Sequence, residues 1–261
     1  MFFKRIAAFI SVIVFLCVVT PAAMFAQSVP AADEEKLFAQ ANDFYRAGKY
    51  KEAADMYEQI AGNGFVNGNL YYNLGNSYFK EGEIGKAILN YERAGQFMPY
   101  DSDLKENLDY ARSLVNAISP QYSNNRLLRR FYSLADRLSV DGITVFMSIL
   151  FVCIFVLLAC NIFSPVIRKY TVFFLTACVI VFSAAAFSLS WKINYLARGA
   201  VVIAKDAQAR FEPSDNATAY FMLSQGSRIE VIDATARWFK IKRSDHKVGW
   251  VDKTAIELIR E

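Results

Sequence analysis

Residues 143–163 read ITVFMSILFVCIFVLLACNIF and residues 171–191 read TVFFLTACVIVFSAAAFSLSW, and neither run contains Asp, Glu, Lys or Arg. At about 1.5 Å per helical residue, about 20 residues cross a bilayer core of roughly 30 Å. A soluble core helix of that length would carry a polar stripe, and neither run has one. Between them lie Ser164, Pro165, Arg168 and Lys169, which read as a short basic turn. The expected element is a two-helix transmembrane hairpin over 143–163 and 171–191, with one soluble module before it and another after it.

The remaining composition narrows the function classes. The chain has 261 residues, a hydrophobic fraction of 54% and a formal net charge of +4, unevenly spread. From Gln27 to Ile118 there are 14 acids and 9 bases, a difference of −5; from Ala197 to Glu261 there are 11 bases and 9 acids, a difference of +2. Neither module carries the concentrated basic surface that nucleic acid demands, so no nucleic-acid partner is expected. Cys17, Cys153, Cys160 and Cys178 all lie in apolar segments. The soluble modules therefore have no cysteine for a disulfide framework or a zinc site, and no cofactor or metal is expected.

At the N-terminus, Lys4 and Arg5 precede an apolar run from Ile6 to Val19, followed by mostly small residues up to Ala26. That order is a secretory signal over residues 1–26, which places the next hundred residues outside the cytoplasm. The two crossings then return the chain to the same side, so both soluble modules share one compartment.

Residues 34–67 and 68–101 contain one pattern twice, 34 residues apart. Leu37 corresponds to Tyr71, Ala41 to Gly75, Phe44 to Tyr78, Ala53 to Ala87, and Tyr57 to Tyr91. Small residues let two helices approach; the aromatics fill the space between copies. Gly48 and Gly82 stand where a first helix turns into a second, and Pro99 ends the second copy. A capping helix from Ser102 to Ala117 follows, with Leu104, Leu108, Ala111 and Val115 at helical spacing and Asp101 or Ser102 as its N-cap. In period and signature positions this resembles the tetratricopeptide repeat. The resemblance implies a helical solenoid with a concave groove that binds peptides or protein segments, lined by Asn42, Tyr45, Tyr72, Asn73, Asn76 and Lys80. In the carboxylate-binding members, two asparagines act with three basic residues. Asn42 and Asn73 match the asparagines, but Phe38, Asp103 and Asn107 stand where the bases belong, so a C-terminal carboxylate is not the expected ligand.

Residues 126–140 form an amphipathic pattern: Leu127, Phe131, Leu134 and Leu138 on one face, and Arg129, Arg130 and Arg137 largely on the other. With Arg126 these arginines suit an interfacial helix on lipid phosphates. They outnumber the two bases of the hairpin turn, and charge counting alone would place that turn outside. The export signal is read first, and it sets the expected orientation.

After Gly199 the period changes to two. Val201 and Ile203, Ile229 and Val231, and Phe239 and Ile241 alternate, with turn residues at Glu212–Asn216, Gln225–Ser227 and Ser244–His246. Short strands at that spacing predict a small all-β barrel over 199–261. The sequences Leu223-Ser224-Gln225-Gly226-Ser227, Trp238-Phe239-Lys240-Ile241 and Lys247-Val248-Gly249-Trp250-Val251 resemble a bacterial SH3-like domain, whose members bind cell-wall peptides or other proteins. The resemblance assigns Trp238 and Trp250 to the core or the ligand face. His246, the only histidine, falls in a turn without a catalytic partner.

The whole order resembles the repeat protein of the Bacteroides aerotolerance operon, the BatE-like family. That resemblance implies a membrane-bound, non-enzymatic scaffold of the cytoplasmic membrane, facing the periplasm. Its expected partners are von Willebrand A-domain membrane proteins and other Bat proteins, with a link to oxygen or stress tolerance. The alternative is a tether to peptidoglycan through the SH3-like domain. The chain has no nucleotide loop, nucleophile elbow or zinc motif, which argues against an enzyme.

Overall fold

The computed structural model describes residues 32–115, 140–163 and 168–260. The expected export signal, the arginines at 126, 129, 130 and 137, and Ser164 and Pro165 lie outside the described residues. The chain divides into two bodies: residues 140–191 belong to one, and residues 32–115 with 192–260 to the other.

The second body opens with five helices: α1 Ala32–Arg46, α2 Tyr50–Gly62, α3 Gly68–Glu81, α4 Ile84–Phe97 and α5 Ser102–Leu114. Consecutive helices pack on one another. The joints follow from local chemistry. Gly48 and Gly82 take positive φ (75° and 81°), conformations that a Cβ disfavours. The turn after α3 is closed by Glu83 N–H donating to Tyr78 C=O at 2.9 Å, and Lys49 N–H repeats that bond to Phe44 C=O at 2.9 Å. Asn67 and Asp101 cap α3 and α5, each side chain accepting a backbone N–H three residues on at 2.8 Å. Asp101→Ala should therefore cost about 1 kcal/mol of stability, read as a lower unfolding midpoint. The capping helix ends at Leu114, three residues before the expected Ala117.

Ala41, Ala53, Ala87, Tyr57 and Tyr91 are buried in one apolar cluster. The small residue at position 75 is required: a Cβ there would lie 2.7 Å from the Tyr91 ring. The close approach of α3 and α4 at a small residue is as the sequence predicts, while the Tyr91 ring that fills the gap belongs to the same copy and not to the space between copies.

The C-terminal part is a seven-stranded antiparallel sheet of β1 Gly199–Val202, β2 Ala207–Arg210, β3 Ala219–Leu223, β4 Arg228–Ala234, β5 Trp238–Lys242, β6 Val248–Asp252 and β7 Ile256–Leu258. Its strand order is β3-β2-β6-β5-β4-β1-β7. Ala200, Val202, Ala207, Ala209, Leu223, Ile229, Ile241, Val251 and Ile256 form its core. Gly249 allows β6 to lie close to β2, since a Cβ there would stand 3.0 Å from the Ala209 Cβ and 3.2 Å from Arg210 O. The short helical turn Lys253–Ala255 and strand β7 were not separately expected.

The helical and β modules are not beads on a string. Val201 and Ile259 are buried in the same cluster as the helices, with Ile203 packed against it. At the contact, Gly85 of α4 meets the backbone of Ile203: a Cβ would stand 2.8 Å from Ile203 O and 2.9 Å from its Cα.

The other body holds α6 Val140–Phe163, of 24 residues, and the first part of α7 Arg168–Ala197, of 30 residues. Because α7 starts at Arg168, Arg168 and Lys169 are helical and not in the turn where the sequence placed them. Among the described residues, one helix is long and apolar enough to cross a membrane, Tyr170–Asn194, with a mean hydropathy of 2.4; the apolar stretch Gly142–Leu158 is shorter. Phe173, Ile180 and Phe187 are exposed. The hydroxyls of Thr144, Ser148, Thr176 and Ser183 each donate to the carbonyl four residues earlier at 2.9 Å. Those bonds satisfy the donors internally, as an apolar solvent requires.

Candidate functional site

An asparagine–tyrosine ladder runs through the helical module. Tyr57 Oη donates to Asn42 Oδ1 at 2.7 Å, and Asn73 Nδ2 donates to the same oxygen at 3.2 Å. The unit recurs 34 residues on. Tyr91 Oη donates to Asn76 Oδ1 at 2.8 Å, and Asn107 Nδ2 donates to it at 3.3 Å and to Tyr72 Oη at 2.9 Å. The rings follow the same translation: Phe38 meets Tyr57 at 5.6 Å and Tyr72 meets Tyr91 at 6.1 Å.

The ladder fixes which way its amides point. Asn42 and Asn76 use their oxygens internally, so Nδ2 of each has no hydrogen-bond partner among the described residues. Asn73 and Asn107 use their nitrogens, and Oδ1 of each is open in the same sense. All four residues are half-buried. Each unit thus offers one donor and one acceptor, the complement of a peptide C=O and N–H. Burial pushes the Tyr57 phenol up to about 12, against a smaller opposing pull from the Asn73 hydrogen bond. Burial also raises the Tyr91 phenol, helped by Tyr72 and Tyr45. Both phenols therefore remain donors at neutral pH, and the polarity of the ladder does not invert.

Of the six groove residues read from sequence, Asn42, Tyr72, Asn73 and Asn76 come together in this ladder. Tyr45 packs edge-on against Tyr50 at 5.3 Å, and Lys80 is exposed and outside the ladder. Asn107, Tyr57 and Tyr91 are members that the groove list lacked. Translating Asn73 by one 34-residue period lands on Asn107, which was the available signal.

A second polar cluster ties the two modules together. Glu92 on α4 sits between two guanidinium groups: Arg112 of α5, and Arg228 of β4 at 2.8 Å. The Glu92, Arg112 and Arg228 side chains are only 11%, 15% and 9% exposed. Next to it, Arg93 Nη2 donates to Glu257 at 2.9 Å and to Leu258 C=O at 2.8 Å, and its Nε donates to Ile259 C=O at 3.3 Å. Arg93 thus takes up the carbonyls of Leu258, the last residue of β7, and of Ile259 just beyond it. Burial alone would raise the Glu92 carboxyl, but Arg228 and Arg112 outweigh it and hold it below the usual carboxylate range. A carboxylate with a depressed folded-state pKa contributes stability that is complete above its unfolded value, about 4.3, and is lost as pH falls through the folded one. Unfolding midpoints of the native chain and of Glu92→Gln should therefore differ by a constant amount from pH 7 to 5 and converge only in strong acid.

In the β module, Trp238 is buried at the start of β5, with Arg237 over its ring at 5.5 Å. Arg237 also bridges Asp215 at 2.6 Å and Asp252, the last residue of β6, at 2.8 Å. Trp250 is half-buried, with Lys240 Nζ 5.6 Å from its ring. His246 lies exposed in the β5–β6 turn with φ 68°, while Asp245 beside it is held at about 2, first by its hydrogen bond from Arg243. No group of three or more metal-binding side chains occurs among the described residues.

No curated protein matches this chain. Residues 205–257 match the family of bacterial SH3 domains, and the antiparallel sheet that these residues form is accordingly an SH3-like domain.

Proposed function

We propose that this protein is a non-enzymatic, membrane-anchored scaffold, built from tetratricopeptide-type repeats, a two-helix membrane hairpin and the SH3-like domain. In this reading the repeats and the SH3-like domain face the periplasm and assemble an envelope protein complex through the helical groove. The observation that carries it is the repeated ladder, whose two open donor–acceptor pairs match the main chain of an extended peptide and demand no particular side chain. The two-module body favours a scaffold over a pair of independent binders, because Arg93 and Glu92 hold groove and SH3-like domain in one piece. The resemblance of the whole chain to the BatE-like family supplies the partner class, von Willebrand A-domain membrane proteins and other Bat proteins, and the link to oxygen or stress tolerance.

Deleting residues 34–117 would also remove the surface on which the SH3-like domain rests, so point substitutions give the cleaner test. Asn73→Ala with Asn107→Ala removes both open acceptors. At about 0.5–1.5 kcal/mol per hydrogen bond, recovery of co-purifying partners should fall about tenfold. Undiminished recovery from a folded double variant would refute the groove assignment.

The second reading is attachment to peptidoglycan, which the match to bacterial SH3 domains favours. Retention of the full chain on purified cell wall, undisturbed by the double variant, would select it.

A further inference from the structure

The outer face of β3, β2, β6 and β5 takes no part in either cluster above. Register dictates what it carries. Arg210 and Lys240 both pair with Trp250, so the three form one cross-strand row; Lys242 pairs with Val248, and Met222 with Gln208. Phe221 and Leu223 belong to the core side of β3, so Tyr220 and Met222 point the other way. The Tyr220 and Phe211 rings meet in a tilted pair, centroids 4.3 Å apart, and Phe211, Tyr220 and Met222 are 57%, 43% and 53% exposed.

Asp233 and Glu230 of β4 stand opposite Lys240 and Lys242 in register, but among the described residues no ion pair joins them, and Glu230 bridges Arg198 at 3.6 Å. The Arg210 guanidinium donates to the backbone carbonyls of Asp215 and Ala217, at 2.9 and 2.6 Å, and to no carboxylate. Lys240 covers Trp250, and neither it nor Lys242 has a carboxylate partner among the described residues. The acid on the same side of β6, Asp252, is occupied by Arg237 and Thr254. Unpaired cations beside exposed aromatic and thioether side chains complement a surface that is anionic outside and apolar just beneath. A soluble acidic polymer would engage the lysines but leave Phe211 and Met222 in water. Strand β1 begins two residues after α7 ends at Ala197.

We propose that this face of the SH3-like domain docks on the anionic headgroups of the bilayer in which α7 is anchored. The proposal rests on the membrane reading of α7. The full chain is reconstituted in discs of phosphatidylcholine alone, or with about one part in three phosphatidylglycerol, and amide exchange is followed over residues 219–223 and 248–250. Exchange there should slow about fivefold or more in the anionic discs, with β1 and β4 unchanged as the internal control. High salt, and the Lys240→Gln, Lys242→Gln double variant, should each abolish the slowing. Equal exchange in the two lipids overturns the proposal. So does equal slowing by polyglutamate in neutral discs, which would assign the face to an acidic polymer. A chain that elutes apart from lipid overturns the membrane reading itself and the proposal with it.

Discussion

Glu92→Ala should destabilise the helical–SH3 body by about 3–5 kcal/mol, because it leaves Arg112 and Arg228 buried without a counter-charge. The expected signature is more than a lower midpoint. Native unfolding should be one cooperative transition; the variant should unfold in two steps, the SH3-like domain parting from the helices first. In a Trp191→Phe background, thermal scans read by circular dichroism and by tryptophan fluorescence, which then reports Trp238 and Trp250, should coincide for native Glu92 and separate for the variant. The contrast comes from removing the whole cluster. Glu92→Met, Arg112→Leu and Arg228→Met together should restore most of the loss, since apolar side chains of similar volume leave no stranded charge. If the single variant retained native stability, the cluster would be ornamental, and the modules would be joined by apolar contact alone.

The second large effect is expected at Gly85. A side chain there meets backbone, the Ile203 carbonyl oxygen and Cα, and backbone has no rotamer with which to yield. Gly85→Val should cost about 1–3 kcal/mol through overpacking. The loss should fall on the joint: faster amide exchange in β1 and β7, with α1 to α3 keeping native protection. A uniform loss of protection would instead mean that Gly85 supports the helical module alone.

These two sites mark where the sequence stopped being legible. The apolar runs, the export-like N-terminus and the 34-residue pattern announce themselves through composition and period, which are local. So do the turns at Gly48, Gly82 and Gly226, whose positive φ follows from glycine chemistry. The small residue at 75 was legible as a helix-approach position, but its partner Tyr91 lies within the same copy and not between copies. The joint is different. Glu92 reads as an ordinary charge on an amphipathic helix, and Arg228 as an ordinary charge at a strand start; only folding brings together residues 136 apart in sequence. Gly85 looks like one more small residue of a repeat and proves to be where the SH3-like domain lands. The asparagine–tyrosine ladder was legible by half. Asparagines at 42, 73 and 76 stand out in the sequence, whereas Asn107 shows there only as a non-basic residue at a basic position. The tyrosines at 57 and 91 show only as aromatic packing, because their hydroxyl partners lie on a neighbouring helix. Charges flanking apolar runs suggest a turn at Arg168 and Lys169, while the helix starts earlier than its apolar stretch.

The proposal that the helical module holds a protein partner is most directly tested by placing a photo-activated benzoylphenylalanine at Lys80, exposed on the same helix as Asn73 and Asn76, and illuminating intact cells. The account predicts a discrete covalent adduct with a second envelope protein, lost when Asn73 and Asn107 are both replaced by Ala. No protein adduct, or an adduct that persists in the double variant, would contradict it.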